Sequence, residues 1–167
     1  MKRPMILVAV VCLVLSVSGL LLGGCGATDT TAAPPPAPVP DPPDTVRTNL
    51  RLPRHGIYAM DFETGQVGDA NLAGCDLRLD NNTNFHPGDP AGGSGPASLF
   101  YVGPVSGLGY ITQVPTAGSV ASCAGVKGHG YVVRTTDGNT FRVYGHDYLL
   151  SAIDQGIIGL RIKWASL

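Results

Sequence analysis

Between Arg47 and Leu167 the apolar positions recur with a period of two. Cys75, Leu77 and Leu79 alternate with Asp76, Arg78 and Asp80, and Leu160, Ile162 and Trp164 alternate with Arg161 and Lys163. A strand turns successive side chains to opposite faces, so this is the pattern of strands with one face in a core and the other in water. Runs of strand composition also cover 57–62, 98–102, 108–114, 130–136, 140–144 and 157–164,. One short helix is predicted, over 147–153. The expectation is an all-β domain, an antiparallel sheet or sandwich built from hairpins.

The clearest unit is the stretch GYVVRTTDGNTFRVYGHDY. Asp137-Gly138 between two strand-like runs is a strong hairpin signal. Pairing Tyr131 with Val143 and Val133 with Phe141 keeps both apolar sets on one face. It leaves Thr136-Asp137-Gly138 as a three-residue loop with Gly138 in the left-handed conformation. A slip of one residue would set Arg142 opposite Val133 and mix the faces.

The amino-terminal pattern is of another kind. Lys2 and Arg3 precede an unbroken apolar run from Met5 to Leu15, which loosens at Ser16, Ser18 and Gly19 before Leu22-Gly23-Gly24-Cys25. That is a basic region, an apolar region and small residues at a processing site. Leu-Gly-Gly-Cys resembles the bacterial lipobox, in which the cysteine receives a diacylglycerol and becomes the first residue of the mature protein. The reading is a lipoprotein signal peptide over 1–24, lipidated Cys25, and an exported chain held at the membrane by its lipid. The expected place is the cell envelope, at the outer membrane or cell surface.

Seven of the 14 prolines follow between Pro34 and Pro43. A segment so rich in proline, with no aromatic residue, favours an extended spacer. Residues 25–46 are therefore read as lipidated cysteine plus linker, and 47–167 as one domain.

Nine Lys or Arg in that domain balance nine Asp or Glu, and no basic stripe suggests a nucleic-acid partner,. Catalytic signals are thin. Gly92-Gly93-Ser94-Gly95-Pro96 fails the nucleophile elbow because proline fills its last position,. No paired carboxylates, phosphate loop or metal cluster stands out, and the chain is read as non-enzymatic.

Cysteine arithmetic adds one constraint. With Cys12 in the signal and Cys25 lipidated, Cys75 and Cys123 remain, and an even pair in an exported domain suggests a disulfide,. Two separate thiols are the alternative. His55, His86, His129 and His146 are the obvious metal ligands,. In the hairpin register above, His129 falls on the face of Gly145 and His146 on the other, so the two do not converge on one iron.

The string from Tyr131 to Val143, with Asp147-Tyr148 and the terminal Ile158-Gly159-Leu160-Arg161-Ile162-Lys163-Trp164, resembles the carboxy-terminal part of the HmuY-like lipoproteins. Met60-Asp61-Phe62-Glu63-Thr64-Gly65 resembles that family's early strand and turn. Cys75-Asp76-Leu77-Arg78-Leu79 stands where the family usually has Trp-Asp before a strand, and HPGDPAGGSGP replaces its Asn-Gly-Gly pattern. The resemblance implies an all-β, lipid-anchored domain and, in the family's best-known members, haem held by protein axial ligands. None of the four histidines matches a family ligand position by motif, so the metal ligands stay unassigned; Met60 is the domain's only thioether.

Three classes follow. The first is a ligand-binding lipoprotein, with haem or another porphyrin as the cofactor the resemblance suggests. The second is an envelope protein-protein interaction module, with Phe85, Phe100, Tyr101 and Tyr110 as candidate contact aromatics or core residues. The third is a hydrolase of a kind the motifs do not reveal.

Overall fold

The computed structural model describes residues 37–69, 71–88 and 97–167. The signal-peptide and lipidation readings at 1–24 and Cys25, and the Gly92–Pro96 segment, lie outside them.

Among the described residues, ten antiparallel strands form two five-stranded sheets. The larger contains β1 (Val46–Arg51), β6 (Ser98–Pro104), β8 (His129–Arg134), β9 (Thr140–Leu150) and β10 (Ile157–Ser166), in the order β1-β10-β9-β8-β6. The smaller contains β2 (Ala59–Met60), β3 (Val67–Gly68), β4 (Leu77–Leu79), β5 (Asn84–Pro87) and β7 (Cys123–Ala124), in the order β3-β2-β4-β5-β7. The all-β expectation holds.

The alternating residues do what their period requires. Leu160, Ile162 and Trp164 of the large sheet, with Tyr131, Val133 and Val143, meet Met60, Leu77, Leu79 and Phe85 of the small one in a single core. Each such side chain contributes roughly 1.5–3 kcal/mol on burial. At one end Phe62, Phe141 and Trp164 form an aromatic cluster, with centroids 5.2 Å apart for Phe62–Phe141 and Phe62–Trp164. The Tyr131 hydroxyl is buried against Phe85 but donates to the Ala124 carbonyl (2.7 Å) and accepts from the Val126 N–H (2.8 Å).

The hairpin forms in the expected register, Tyr131 opposite Val143 and Val133 opposite Phe141, with Gly138 at φ 87°. Two expectations fail. Residues 108–114 are not a strand: Leu108–Tyr110 is a 3-10 turn, and Leu108 and Ile111, three apart, are both buried against the outer face of the large sheet with Phe100 and Val132,. No helix forms over 147–153, because β9 runs on to Leu150. A bulge sets Gly145 opposite Ile162 and Asp147 opposite Arg161, with His146 as the extra residue, and this breaks the alternation that would have marked the strand,.

The expected Cys75–Cys123 disulfide is also absent; both are free thiols. The ladder explains why. Cys123 faces Phe85, which faces Leu79, so Cys123 lies two strands from β4 and Cys75 four residues along the chain from that rung. At about 4.8 Å per strand and 3.3 Å per residue the Cα atoms are some 16 Å apart, beyond the roughly 7 Å limit for a bridge. Burial instead pushes the Cys75 thiol up, and that of Cys123 to about 11.

The domain also reaches further upstream than residue 47. The Val39 N–H donates to the Tyr110 hydroxyl (3.2 Å), Asp41 pairs with Lys163 (2.5 Å), and the Ser166 N–H donates to Asp44 (3.1 Å). The last proline-rich residues are thus a strap on the outer face of the large sheet.

Candidate functional site

The histidines are dispersed. His55 is exposed and accepts from the Arg54 Nε–H (3.2 Å), His86 bonds to Asp80 (3.0 Å), and His129 Nδ1 bonds to the Tyr101 hydroxyl (2.6 Å). The His129 ring lies beside Tyr101, which neighbours the inward-facing Tyr131. His146 lies beside Tyr144, which packs on the outer face. The two histidines are therefore on opposite faces, as the hairpin register requires. Met60 is fully buried between the sheets. Of the candidate contact aromatics, Phe85 and Phe100 are core residues, whereas Tyr101 and Tyr110 are 41% and 37% exposed.

Two places gather chemistry. The first is a cleft of about 540 Å³ between the strap and the large sheet, lined by Val39, Asp41, Tyr110, Tyr144, His146 and Lys163 among others. Burial, then the positive charges of Lys163, Arg47 and Arg161, hold the His146 imidazole below its ordinary pKa, outweighing Asp147,. It is neutral at pH 7, with a free electron pair for a metal or a hydrogen-bond donor. Asp41 offsets the charge of Lys163.

The second is a carboxylate cluster that the sequence reading did not find. One oxygen each from Asp61, Glu63 and Asp76 lies within 4.8 Å of the others. Asp61 follows β2, Glu63 sits in the turn after it, and Asp76 precedes β4. Asp61 Oδ1 accepts from the Thr64 N–H (3.1 Å) and Asp76 Oδ2 from the Phe62 N–H (3.0 Å). Glu63 Oε1 accepts from the Thr135 hydroxyl and from Asn139 Nδ2 (3.0 Å) across the β8–β9 hairpin.

The electrostatics are uneven. Asp76 is fully buried, and burial, with Glu63 and Asp61 beside it, pushes its carboxyl up to about 7 against the Phe62 N–H,. Glu63 is held below its ordinary value: burial pushes it up, but the bonds from Thr135, Asn139 and Asp76 prevail. No donor of the protein reaches Asp76 Oδ1, and Asp76 and Glu63 bond to each other, which between two carboxyls needs a shared proton.

Asp76 escaped notice because the alternation puts it on the polar face, whereas Cys75, Asp76 and Leu77 are all buried. The only sequence signal was Asp61 and Glu63 two apart before Thr64-Gly65. A different acidic residue, Asp80, is saturated by its own turn: the N–H groups of Asn82 (2.8 Å) and Asn84 (2.7 Å), the Asn84 side chain and His86 all bond to it.

No protein-family model matches the chain, and no curated protein is significantly similar to it.

Proposed function

We propose that this chain is a lipid-anchored, non-enzymatic lipoprotein of the bacterial cell envelope whose β-sandwich binds an anionic ligand in the strap cleft, with haem or another porphyrin as the leading candidate. The observation that carries the reading is the neutral His146 imidazole in an open cleft of about 540 Å³ that Lys163 also lines, with the charges of Arg47 and Arg161 acting on it from outside the lining. A neutral imidazole is an axial ligand for iron, the cations suit propionates, and Tyr110 and Tyr144 offer flat apolar walls. The HmuY-like resemblance supports the same ligand class, with one histidine in place of a His129–His146 pair.

Titrating the detergent-solubilised lipoprotein with haemin tests this. A Soret shift is expected that His146→Ala abolishes and His129→Ala leaves intact. Equal loss in both variants, or no shift in the wild type, overturns the haem reading. The second reading, a protein-protein interaction module, is favoured by Tyr101, which stands exposed on the edge strand β6. Affinity capture from solubilised envelopes that Tyr101→Ala abolishes would support it.

A further inference from the structure

The geometry points to a binding site for a hard divalent cation, Ca²⁺ by its chemistry, between Asp61, Glu63 and Asp76. The site is separate from the strap cleft and owes nothing to the haem reading.

Three observations carry it. The carboxylates are already oriented, since each uses one oxygen on a donor of the protein: Asp61 on the Thr64 N–H, Asp76 on the Phe62 N–H, and Glu63 on Thr135 and Asn139. The remaining oxygens are Asp61 Oδ2, Glu63 Oε2 and Asp76 Oδ1. Of these, Asp76 Oδ1 belongs to a side chain with no solvent exposure and receives no donor from the protein; the Glu63 carboxyl bonds to Asp76, which two carboxylates can do only by sharing a proton or a cation. A buried polar atom left in that state is costly, and native structures nearly always satisfy it. Finally, the cluster is anionic, and the charges that act on Asp76 are the other two carboxylates.

The donor set selects the ion. Only oxygens are presented, which excludes metals that prefer thiolate or imidazole; the Cys75 thiol is turned to the Leu77 carbonyl. Ca²⁺ accepts six to eight oxygens at about 2.3–2.6 Å in flexible geometry, so three carboxylates with waters can fill its shell, whereas Mg²⁺ demands a near-ideal octahedron at about 2.0–2.1 Å and parts reluctantly with its waters. Three oxygens within 4.8 Å of one another can close on one ion, and the turn need not impose an octahedron on the more tolerant Ca²⁺,. Glu63, on the exposed rim, gives the ion its entry, and waters complete the shell.

Trp164, the only tryptophan, supplies a direct readout. Its ring meets Phe62, between Asp61 and Glu63, at 5.2 Å. Tb³⁺ binds Ca²⁺ sites and luminesces when a nearby indole transfers its excitation. The full-length protein in detergent, excited through Trp164, should sensitise Tb³⁺ emission that excess CaCl₂ displaces and equal MgCl₂ does not. Saturating CaCl₂ should raise the melting temperature by about 5 °C over EDTA. Asp76→Asn should cut the emission at least tenfold. Glu63→Gln, at the exposed rim, should weaken Tb³⁺ binding similarly and serves if Asp76→Asn does not fold. Emission unchanged in both variants would mean adventitious surface binding and would overturn the proposal. So would a wild type indifferent to Tb³⁺, CaCl₂ and EDTA at pH 8, where a shared proton no longer competes with the ion.

Discussion

Asp76 is the residue whose behaviour departs most from its place in the sequence. Its carboxyl loses a proton near 3.8 when unfolded and only near 7 when folded. Between those values the folded chain binds more protons than the unfolded one, so stability falls as pH rises from about 4 to about 7. Glu63 acts in the opposite sense: its lowered pKa adds stability above 4.5 that is lost as pH falls through the folded value, and this offsets part of the trend at the acid end. Urea unfolding in EDTA should therefore show the wild type losing stability from pH 5 to pH 8, with Asp76→Asn nearly flat over that range. A wild-type profile that rises over the same range would refute the assignment. None of this was legible beforehand, because alternation reports which face a residue takes and not what the adjoining turn folds over that face. Phe62 and Glu63 come from 13 or more residues upstream and close over Asp76 only in three dimensions.

At the scale of elements, legibility followed local information. The β8–β9 register could be derived because two apolar faces and an Asp-Gly turn constrain it together, and only one pairing satisfies both. The strands β5 and β7 could not, since Asn84–Pro87 and Cys123–Ala124 are strands only by pairing with neighbours. The strand β1 buries Leu50 alone and is held by pairing with β10 and by the Trp164 indole N–H donating to Thr48 (2.9 Å). The helix predicted over 147–153 failed through one extra residue at His146. Two glycines of the hairpin differ in a testable way. Gly138 sits at φ 87° with open space around it, so Gly138→Ala should cost about 1 kcal/mol from backbone strain alone,. Gly145 lies against the Val126 carbonyl, where an added Cβ would come within 2.2 Å of the oxygen. Gly145→Ala must displace the loop before β8 and should cost at least about 2 kcal/mol. Urea midpoints of the two variants check the order; equal midpoints would contradict the close approach.

For the whole molecule, the sandwich and the proposed lipid anchor make separable demands on the chain. The sandwich needs its strap: Lys163 is only 13% exposed at its side chain, and Asp41 is its ion-pair partner. Removing one member of a partly buried pair leaves the other charge desolvated, so Asp41→Ala should lower stability by about 1–2 kcal/mol. It should also loosen the cleft, since Asp41 and Val39 form one wall of it. The lipid anchor proposed above needs only the Cys25 thiol, outside the described residues. Cys25→Ala should therefore abolish incorporation of a palmitate analogue and leave the melting temperature of the domain unchanged, while Asp41→Ala should label normally and melt earlier. Labelling that survives in Cys25→Ala would end the lipoprotein reading. A melting temperature that falls with Cys25→Ala would instead mean that the lipidated end takes part in the fold, and that the strap begins well before Val39.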